Sequence, residues 1–311
     1  MNTGKGLLAI IVVSYKSDEM TIDFVRNEVA KVKYPHKVII VNNAAVEGST
    51  NHIAEALNGK AVYNREVKNE DSDVYVIHNP KDVGFANGNN IGAEFLKIQF
   101  DSSYVLFANN DIKIVSEDVC EKLIEKLEEK PDVGLIGPEI IGFEGERQSP
   151  SPERSFEESF VLKQLFKPFS HTQWYKKHYS ENYTTLVPEG YYPKIMGSFF
   201  MLRTNDYFRC GMMDPRTFLY YEERILSAKL KELGLRTYFL PSVKVLHAHC
   251  ATTSKYYTIL NSAKHNIQSG RIYYKYYRDV PEWRLKLGFS LYYFYWKLIF
   301  YKKRYFDKRC N

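Results

Sequence analysis

Runs of aliphatic residues alternate with charged, amphipathic stretches through the first 140 residues. Leu7 to Val13 is almost wholly aliphatic and ends in Ser14-Tyr15, the pattern of a strand buried on both faces in a parallel sheet. Residues 18 to 32 set Met20, Ile22, Phe24, Val25 and Val29 among charges and predict a helix, and Lys37 to Val41, closed by Asn42-Asn43, predicts a second strand. Strand, helix, strand is the βαβ unit. The alternation continues with a strand over Val74 to Ile77, a helix from about Ala86 to Ile98, a strand over Tyr104 to Ala108, a charged helix over Glu117 to Glu129 and a short buried strand over Val133 to Gly137. This is the rhythm of a doubly wound α/β sheet, which binds ligands at the carboxyl ends of its strands.

Residues 143 to 192 lose the rhythm and gather Pro, Ser, Glu, Tyr and His. They predict long loops with one short helix near Val161 to Phe166, of the kind that cover substrates. Regular structure is expected again over Lys194 to Arg203, as a helix over Tyr220 to Leu233, as strand segments over Arg236 to Leu246, and as basic, aromatic helix from about Tyr256.

The 311 residues allow one large α/β domain with an appendage. No basic, apolar, small-residue leader opens the chain, so the catalytic part is expected in the cytoplasm. Cys120, Cys210, Cys250 and Cys310 lie far apart, without the spacing of a zinc cluster or a disulfide framework. The net charge of +6 is uneven: residues 284 to 311 hold eight Lys or Arg against Asp307 alone, leaving the rest of the chain at about −1.

Two segments carry candidate chemistry. Asp111 follows an apolar strand and two asparagines, a place from which a carboxylate can hold a hard divalent cation that also bridges substrate phosphates; the same tripeptide also suits a plain polar turn. Asp82 to Gly92, rich in Gly and Asn, opens a helix one βα unit earlier. Glycine permits close backbone approach, and a helix start offers free amides to polar ligand atoms.

These segments, with others in order, resemble the inverting family 2 glycosyltransferases of the GT-A fold, particularly bacterial enzymes that build surface polysaccharides such as capsule or O-antigen. Val12-Val13-Ser14-Tyr15 matches the family's opening strand, and Val41-Asn42-Asn43-Ala44-Ala45 its Val-Asp-Asn-Ala-Ser-like motif. Gly84-Phe85-Ala86 through Asn90-Ile91-Gly92 matches the Gly-Phe-Ala segment, and Asn109-Asn110-Asp111 the metal motif. Gly197 to Arg203 resembles the Gly-rich acceptor-side strand, Met213-Asp214 through Glu222-Glu223 the stretch that supplies the catalytic base, and Val245-Leu246-His247 the segment whose histidine often completes the metal site.

The resemblance implies a Rossmann-like mixed sheet with a C-terminal helical extension. Residues 1–254 would form the catalytic domain, with a nucleotide-sugar half to about residue 140 and an acceptor half beyond it, and 255–311 the extension. It implies Mn²⁺ or Mg²⁺ held by Asp111 and His247, with His249 an alternative to His247. Glu223, or Glu222 beside it, would be the base. Ser14, Tyr15, Asn42, Asn43, Asp82, Gly84, Phe85, Asn90, Asn109, Gly197 and Asp214 would bind substrate. The chemistry asks for these types on its own terms: a carboxylate accepts the proton of an attacking hydroxyl, and a divalent ion neutralises charge on a departing diphosphate. Two departures stand out. Asn42 replaces the family's usual Asp, and Glu222-Glu223-Arg224-Ile225 lacks the downstream acid of the Glu-Asp-x-Asp pattern.

The expected reaction moves a sugar from a UDP-sugar or dTDP-rhamnose to a hydroxyl of a lipid-linked or growing cell-surface glycan. A catalytically silent scaffold in a membrane assembly complex is the alternative. A sugar nucleotidyltransferase would need an early Gly-rich, basic phosphate loop, which Leu7 to Ser17 does not offer. In the tail, the uncharged core from Leu287 to Trp296 falls short of the roughly 20 residues that span a bilayer. With Lys302, Lys303, Arg304, Lys308 and Arg309 it suits a peripheral anchor at the inner face of the cell membrane. The same aromatics could instead pack on the catalytic domain or form a homodimer interface. Nucleic acid is not an expected partner, since no recognised binding module accompanies the basic groups.

Overall fold

The computed structural model describes residues 6–64, 71–179, 187–248 and 258–307. His249, Cys250, Lys308, Arg309 and Cys310 fall outside the described residues. The strands are β1 (Leu8–Tyr15), β2 (His36–Asn43), β3 (Lys60–Val62), β4 (Val74–Asn79), β5 (Tyr104–Ala108), β6 (Ile112–Ile114), β7 (Val133–Gly142), β8 (Gly190–Tyr191), β9 (Phe199–Arg203) and β10 (Arg236–His247). They form one mixed sheet in the order β3-β4-β2-β1-β5-β9-β7-β10-β6, with β8 paired to β10. The half from β3 to β5 is parallel, β9 runs antiparallel between β5 and β7, and β7 and β10 run parallel to each other.

Alternation along the strands divides the core between the two faces of the sheet. Leu8, Ile10 and Val12 pack with α1 (Asp18–Asn27), α2 (Ser49–Ala56) and α4 (Val119–Glu129). Ala9 and Ile11 pack with α3 (Gly84–Gln99), α7 (Thr204–Arg209) and α8 (Glu222–Glu232). Gly88 and Gly92 of α3 face β1 so closely that a Cβ would meet Val13 at 3.0 Å and Ile11 at 2.7 Å. These two glycines serve helix-to-sheet packing rather than approach to a ligand.

Several boundaries differ from the sequence expectation. The first helix ends at Asn27 and gives way to a 3₁₀ turn over Val29–Lys31; α3 starts two residues early, at Gly84; and β7 runs on to Gly142. Of Lys194 to Arg203 only Phe199–Arg203 is strand, and α2, β3 and β6 had no counterpart in the sequence reading. The segment Arg236–His247 is one strand whose pairing with β7 shifts register between Leu240 and Lys244. Pro241, which lacks an amide donor, sits inside that irregularity.

The stretch 143–192 includes a π turn over Glu158–Leu162 that continues into α5 (Lys163–Leu165), and α6 (Gln173–Tyr179). The C-terminal extension forms α9 (Ile259–Tyr276) and α10 (Glu282–Asp307). Tyr273, Tyr274, Leu285 and Phe289 of these helices join Phe156, Phe160, Tyr221 and Ile225 in a third buried cluster, so part of the chain's aromatic excess packs against the head of α8. Among the described residues no helix is long and apolar enough to cross a membrane.

Candidate active site

Strand register brings the scattered motifs to one edge. Tyr15 pairs with Asn43 and Val12 with Ala108, so β1, β2 and β5 end side by side. Ala108 pairs with Phe199 across the antiparallel step, and the Asn109 amide donates to the Ser198 carbonyl at 2.8 Å, which holds Gly197-Ser198 beside the metal motif. His247, at the end of β10, pairs with Ile112, and the Ala248 amide donates to the Asp111 carbonyl at 3.1 Å. Above this edge lies a cavity of about 660 Å³.

The cavity is lined by Tyr15, Asn43, Asp82, Gly84, Phe85, Asn109, Asp111, Gly197, Glu222, Glu223 and His247 among the residues the sequence singled out. Beside the ends of β2 and β4, Asp82 Oδ1 accepts hydrogen bonds from Asn43 Nδ2 at 3.1 Å and from the Gly84 amide at 3.2 Å. Asn43 Oδ1 accepts in turn from Asn79 Nδ2 and the Val83 amide. Gly84 has φ +77°, and a Cβ there would lie 2.2 Å from the Phe218 carbonyl oxygen; only glycine suits both the angle and the approach. The Phe85 amide donates to that same carbonyl at 2.8 Å, tying the start of α3 to the loop before α8.

Asp111 and His247 face each other with Oδ1 and Nε2 3.3 Å apart. The distance qualifies as an ion pair, yet Asp111 Oδ1 is buried without a hydrogen-bond partner among the described residues. His247 Nδ1 lies 2.6 Å from Gln148 Oε1, an oxygen that can only accept, so Nδ1 carries a proton and Nε2 is the ring nitrogen left to bind a metal. A carboxylate oxygen and an imidazole nitrogen converging on one point fit a shared divalent cation. Among the described residues no cluster of three or more His, Cys, Asp or Glu forms a complete metal site, so Asp111 and His247 would leave several positions to substrate oxygens.

Glu222 and Glu223 open α8 after two left-handed tyrosines, Tyr220 at φ +74° and Tyr221 at φ +71°. Left-handed tyrosines are strained and persist only where packing over-determines them. Here Gly270 of α9 leaves room for the Tyr221 ring at 3.3 Å, and Ser269 Oγ donates to the Leu219 carbonyl at 2.8 Å. The C-terminal extension thus braces the turn that aims the two acids. Glu223 pairs with Lys194 at 3.2 Å, while Gly197, whose Cβ would meet Glu223 Oε2 at 3.4 Å, leaves that carboxylate open to the cavity. Glu222 is 4% exposed; burial, and then the charge of Glu223, push its carboxyl up to about 8. At neutral pH Glu222 holds its proton, which leaves Glu223 as the carboxylate available to accept one.

Four singled-out residues lie elsewhere. Ser14 is fully buried and accepts from the Thr21 hydroxyl, and Asn42 donates to Ser49 and Thr50. Asn90 bonds Met213 through both amide groups and accepts from the Tyr207 hydroxyl at 2.7 Å. Asp214 is paired with Arg216 at 2.6 Å and bonded by Tyr277; burial pushes its carboxyl up, but those bonds outweigh it and hold it below the ordinary range. None of the four lines the cavity. Sequence reasoning missed Lys194, Ser198 and a far wall made by Arg154, Lys163, Lys167 and Trp296. Among the described residues, four buried polar atoms without hydrogen-bond partners belong to residues that line this one space: Asp111 Oδ1, Ser198 Oγ, Glu222 Oε1 and Trp296 Nε1. Such orphans are rare in folded proteins and mark a place for a polar ligand.

Comparison with known proteins points the same way. The model of glycosyl transferase family 2 matches residues 9–202. A low-salt glycan biosynthesis hexosyltransferase of Haloferax volcanii, Agl10, is 23% identical over 225 residues, covering 70% of this chain and 59% of its own length. Among solved structures, the mannosyltransferase PcManGT of Pyrobaculum calidifontis, in complex with GDP-Man and Mn²⁺, superposes with a TM-score of 0.56 at 13% identity over 94% of this chain and 70% of its own. GalNAc-T7 with UDP, GalNAc and Mn²⁺ gives 0.52 at 14% identity over 78% and 43%. The fold is that of the GT-A glycosyltransferases.

Proposed function

The chain belongs to glycosyl transferase family 2, and on that premise we propose that it is an inverting, metal-dependent glycosyltransferase acting on glycans. Its donor would be a UDP-sugar or dTDP-rhamnose, and its acceptor a hydroxyl of a lipid-linked or growing cell-surface polysaccharide. One observation carries the reading: the converging pair Asp111 and His247 shares a single cavity with Glu223, an acid held by Lys194. A silent scaffold has no need to keep a strained turn that presents two carboxylates to a donor pocket.

Asp111 and His247 would hold Mn²⁺ or Mg²⁺, which when bound neutralises charge on the donor diphosphate. Asn43 and Asp82, fixed by each other and by the Gly84 amide, shape the nucleotide end. Lys194 orients the Glu223 carboxylate. As the acceptor oxygen bonds to the anomeric carbon and the bond from that carbon to the diphosphate oxygen breaks, the hydroxyl proton passes to Glu223. Glu222, carrying its own proton, adds no second negative charge beside the base. Released nucleoside diphosphate, followed with Mn²⁺ and a panel of nucleotide sugars with and without lipid-linked acceptors, tests the reading. Absence of both turnover and donor binding would remove it.

The tail supports peripheral contact with an anionic lipid surface. Trp283, Leu287, Leu291, Phe294, Leu298 and Tyr301 recur every three or four residues along α10 and are 37% to 68% exposed, forming a ridge opposite the buried Leu285 and Phe289. Exposed Lys286, Lys297 and Lys302 flank that ridge, the arrangement of a helix lying in the headgroup region of anionic lipid.

A further inference from the structure

The cavity has a second half for which the transfer chemistry above finds no use. Its wall beyond Glu223 comes from the segment around α5 and from α10. Phe160, Lys163, Gln164 and Lys167 line it at helical spacings of three, four and seven residues, with Arg154 upstream, and Tyr292, Tyr295 and Trp296 repeat that spacing opposite. One helical face of each segment therefore turns inward. Charge is distributed unevenly: the acids among the cavity's described lining residues (Asp82, Asp111, Glu222, Glu223) belong to the sheet edge or the head of α8, where Lys194 and Arg224 accompany them, while Arg154, Lys163 and Lys167 line the far wall with no acid among them. The Trp296 Nε1 donor is buried there without a hydrogen-bond acceptor among the described residues, a deficit that a ligand oxygen removes.

Resting on the glycosyltransferase reading, we propose that this half is an acceptor subsite for an anionic group of the phosphate or diphosphate class. Arg154, Lys163 and Lys167 supply the charge and the Trp296 N–H a directed bond. The rings of Tyr292, Tyr295 and Trp296 receive the apolar or sugar portion attached to the anion. A lysine binds phosphate as a mobile point charge and arginine as a planar fork, so the mixed set suits a diphosphate with several oxygens better than a lone carboxylate. The division of charge also separates two diphosphates: that of the donor goes to the Asp111 and His247 end through a cation, and that of the acceptor to the basic wall without one.

Trp296 is a built-in reporter. In a Trp174→Phe, Trp283→Phe background it is the sole indole of the chain, and its emission can be followed in EDTA while farnesyl diphosphate, farnesol or inorganic pyrophosphate is added below micelle-forming concentrations. The proposal expects saturable binding of farnesyl diphosphate, with farnesol and pyrophosphate each at least about tenfold weaker. Lys163→Gln with Lys167→Gln should weaken farnesyl diphosphate by roughly ten- to a hundredfold, the worth of a charge-assisted bond, while calorimetric binding of UDP or dTDP with Mn²⁺ stays within about twofold. Lys163→Arg with Lys167→Arg should restore most of the loss, which a merely misfolded wall would not allow. Equal binding of farnesol and farnesyl diphosphate would overturn the proposal, as would equal binding of pyrophosphate, an unaffected glutamine variant, or a matching loss of UDP and dTDP affinity, which would assign the lysines to the donor. Failure of the unmodified protein to bind either nucleotide with Mn²⁺ would count against the donor site instead.

Discussion

Asp111 Oδ1 and His247 Nε2 stand 3.3 Å apart, and Gln148 Oε1 accepts the Nδ1 proton on the far side of the ring. On the proposed reading the pair would hold a cation, and Gln148 fixes which ring nitrogen faces it. Gln148→Glu keeps an acceptor on Nδ1 and should retain Mn²⁺-dependent nucleotide binding. Gln148→Leu frees the tautomer and should weaken that binding by roughly ten- to a hundredfold. Calorimetry with UDP or dTDP and Mn²⁺ measures both; equal affinities would show that the tautomer lock is irrelevant.

Burial and the charge of Glu223 raise the Glu222 carboxyl from 4.5 to about 8 in the native state. Between those values the folded protein binds more protons than the unfolded chain, so this group removes stability as pH rises from about 4.5 to about 8 and has no further effect above. Glu222→Gln abolishes the titration. The variant should therefore gain unfolding free energy relative to the parent as pH rises through that window, by on the order of a few kcal/mol at its upper end. A difference independent of pH would contradict the buried, protonated state.

At Gly84 the backbone angle of +77° and the Phe218 carbonyl 2.2 Å from an added Cβ act together. Gly84→Ala should cost about 1–3 kcal/mol or more in denaturant unfolding and raise the donor KM, since the Gly84 amide helps fix Asp82. Ala86→Gly, two residues on, carries no such contact loss and controls for helix weakening. A stable Gly84→Ala protein with an unchanged KM would refute the point.

The exposed ridge of α10 predicts salt-sensitive flotation with vesicles containing anionic phosphatidylglycerol, and none with neutral phosphatidylcholine alone. Leu287→Glu with Phe294→Glu, both on the exposed side, should abolish flotation without lowering the melting temperature. If the unmodified protein instead stays off vesicles and sediments as a dimer that the variant breaks, the ridge belongs to a second copy of the chain.

The parallel half of the sheet was legible because strands buried on both faces read as unbroken aliphatic runs, as Leu8 to Val13 does. Asp111 was legible because a polar triplet that ends such a strand must emerge at the sheet's carboxyl edge. Asn90 and Asp214 lie outside the cavity lining for a shared reason. Both sit in motif positions, but a buried polar group must be satisfied, and their partners were invisible in the pattern: Tyr207 lies 117 residues from Asn90, and Asp214 is taken up by Arg216 and Tyr277. The far wall was missed because Lys163 and Trp296 come from segments that meet only in three dimensions. The tail read correctly as aromatic and basic, yet nothing in its composition distinguished the buried Leu285 and Phe289 from the exposed Leu287 and Phe294.

In the proposed mechanism Glu223 takes the acceptor proton while Asp111 and His247 hold the donor. Single-turnover transfer and donor calorimetry on Glu223→Gln, beside Glu222→Gln, separate the two roles. Glu223→Gln should lower the transfer rate by roughly 10²–10⁴-fold with donor affinity kept within about twofold, and Glu222→Gln should retain most of the rate. Full activity in Glu223→Gln, or a loss confined to Glu222→Gln, would contradict this mechanism.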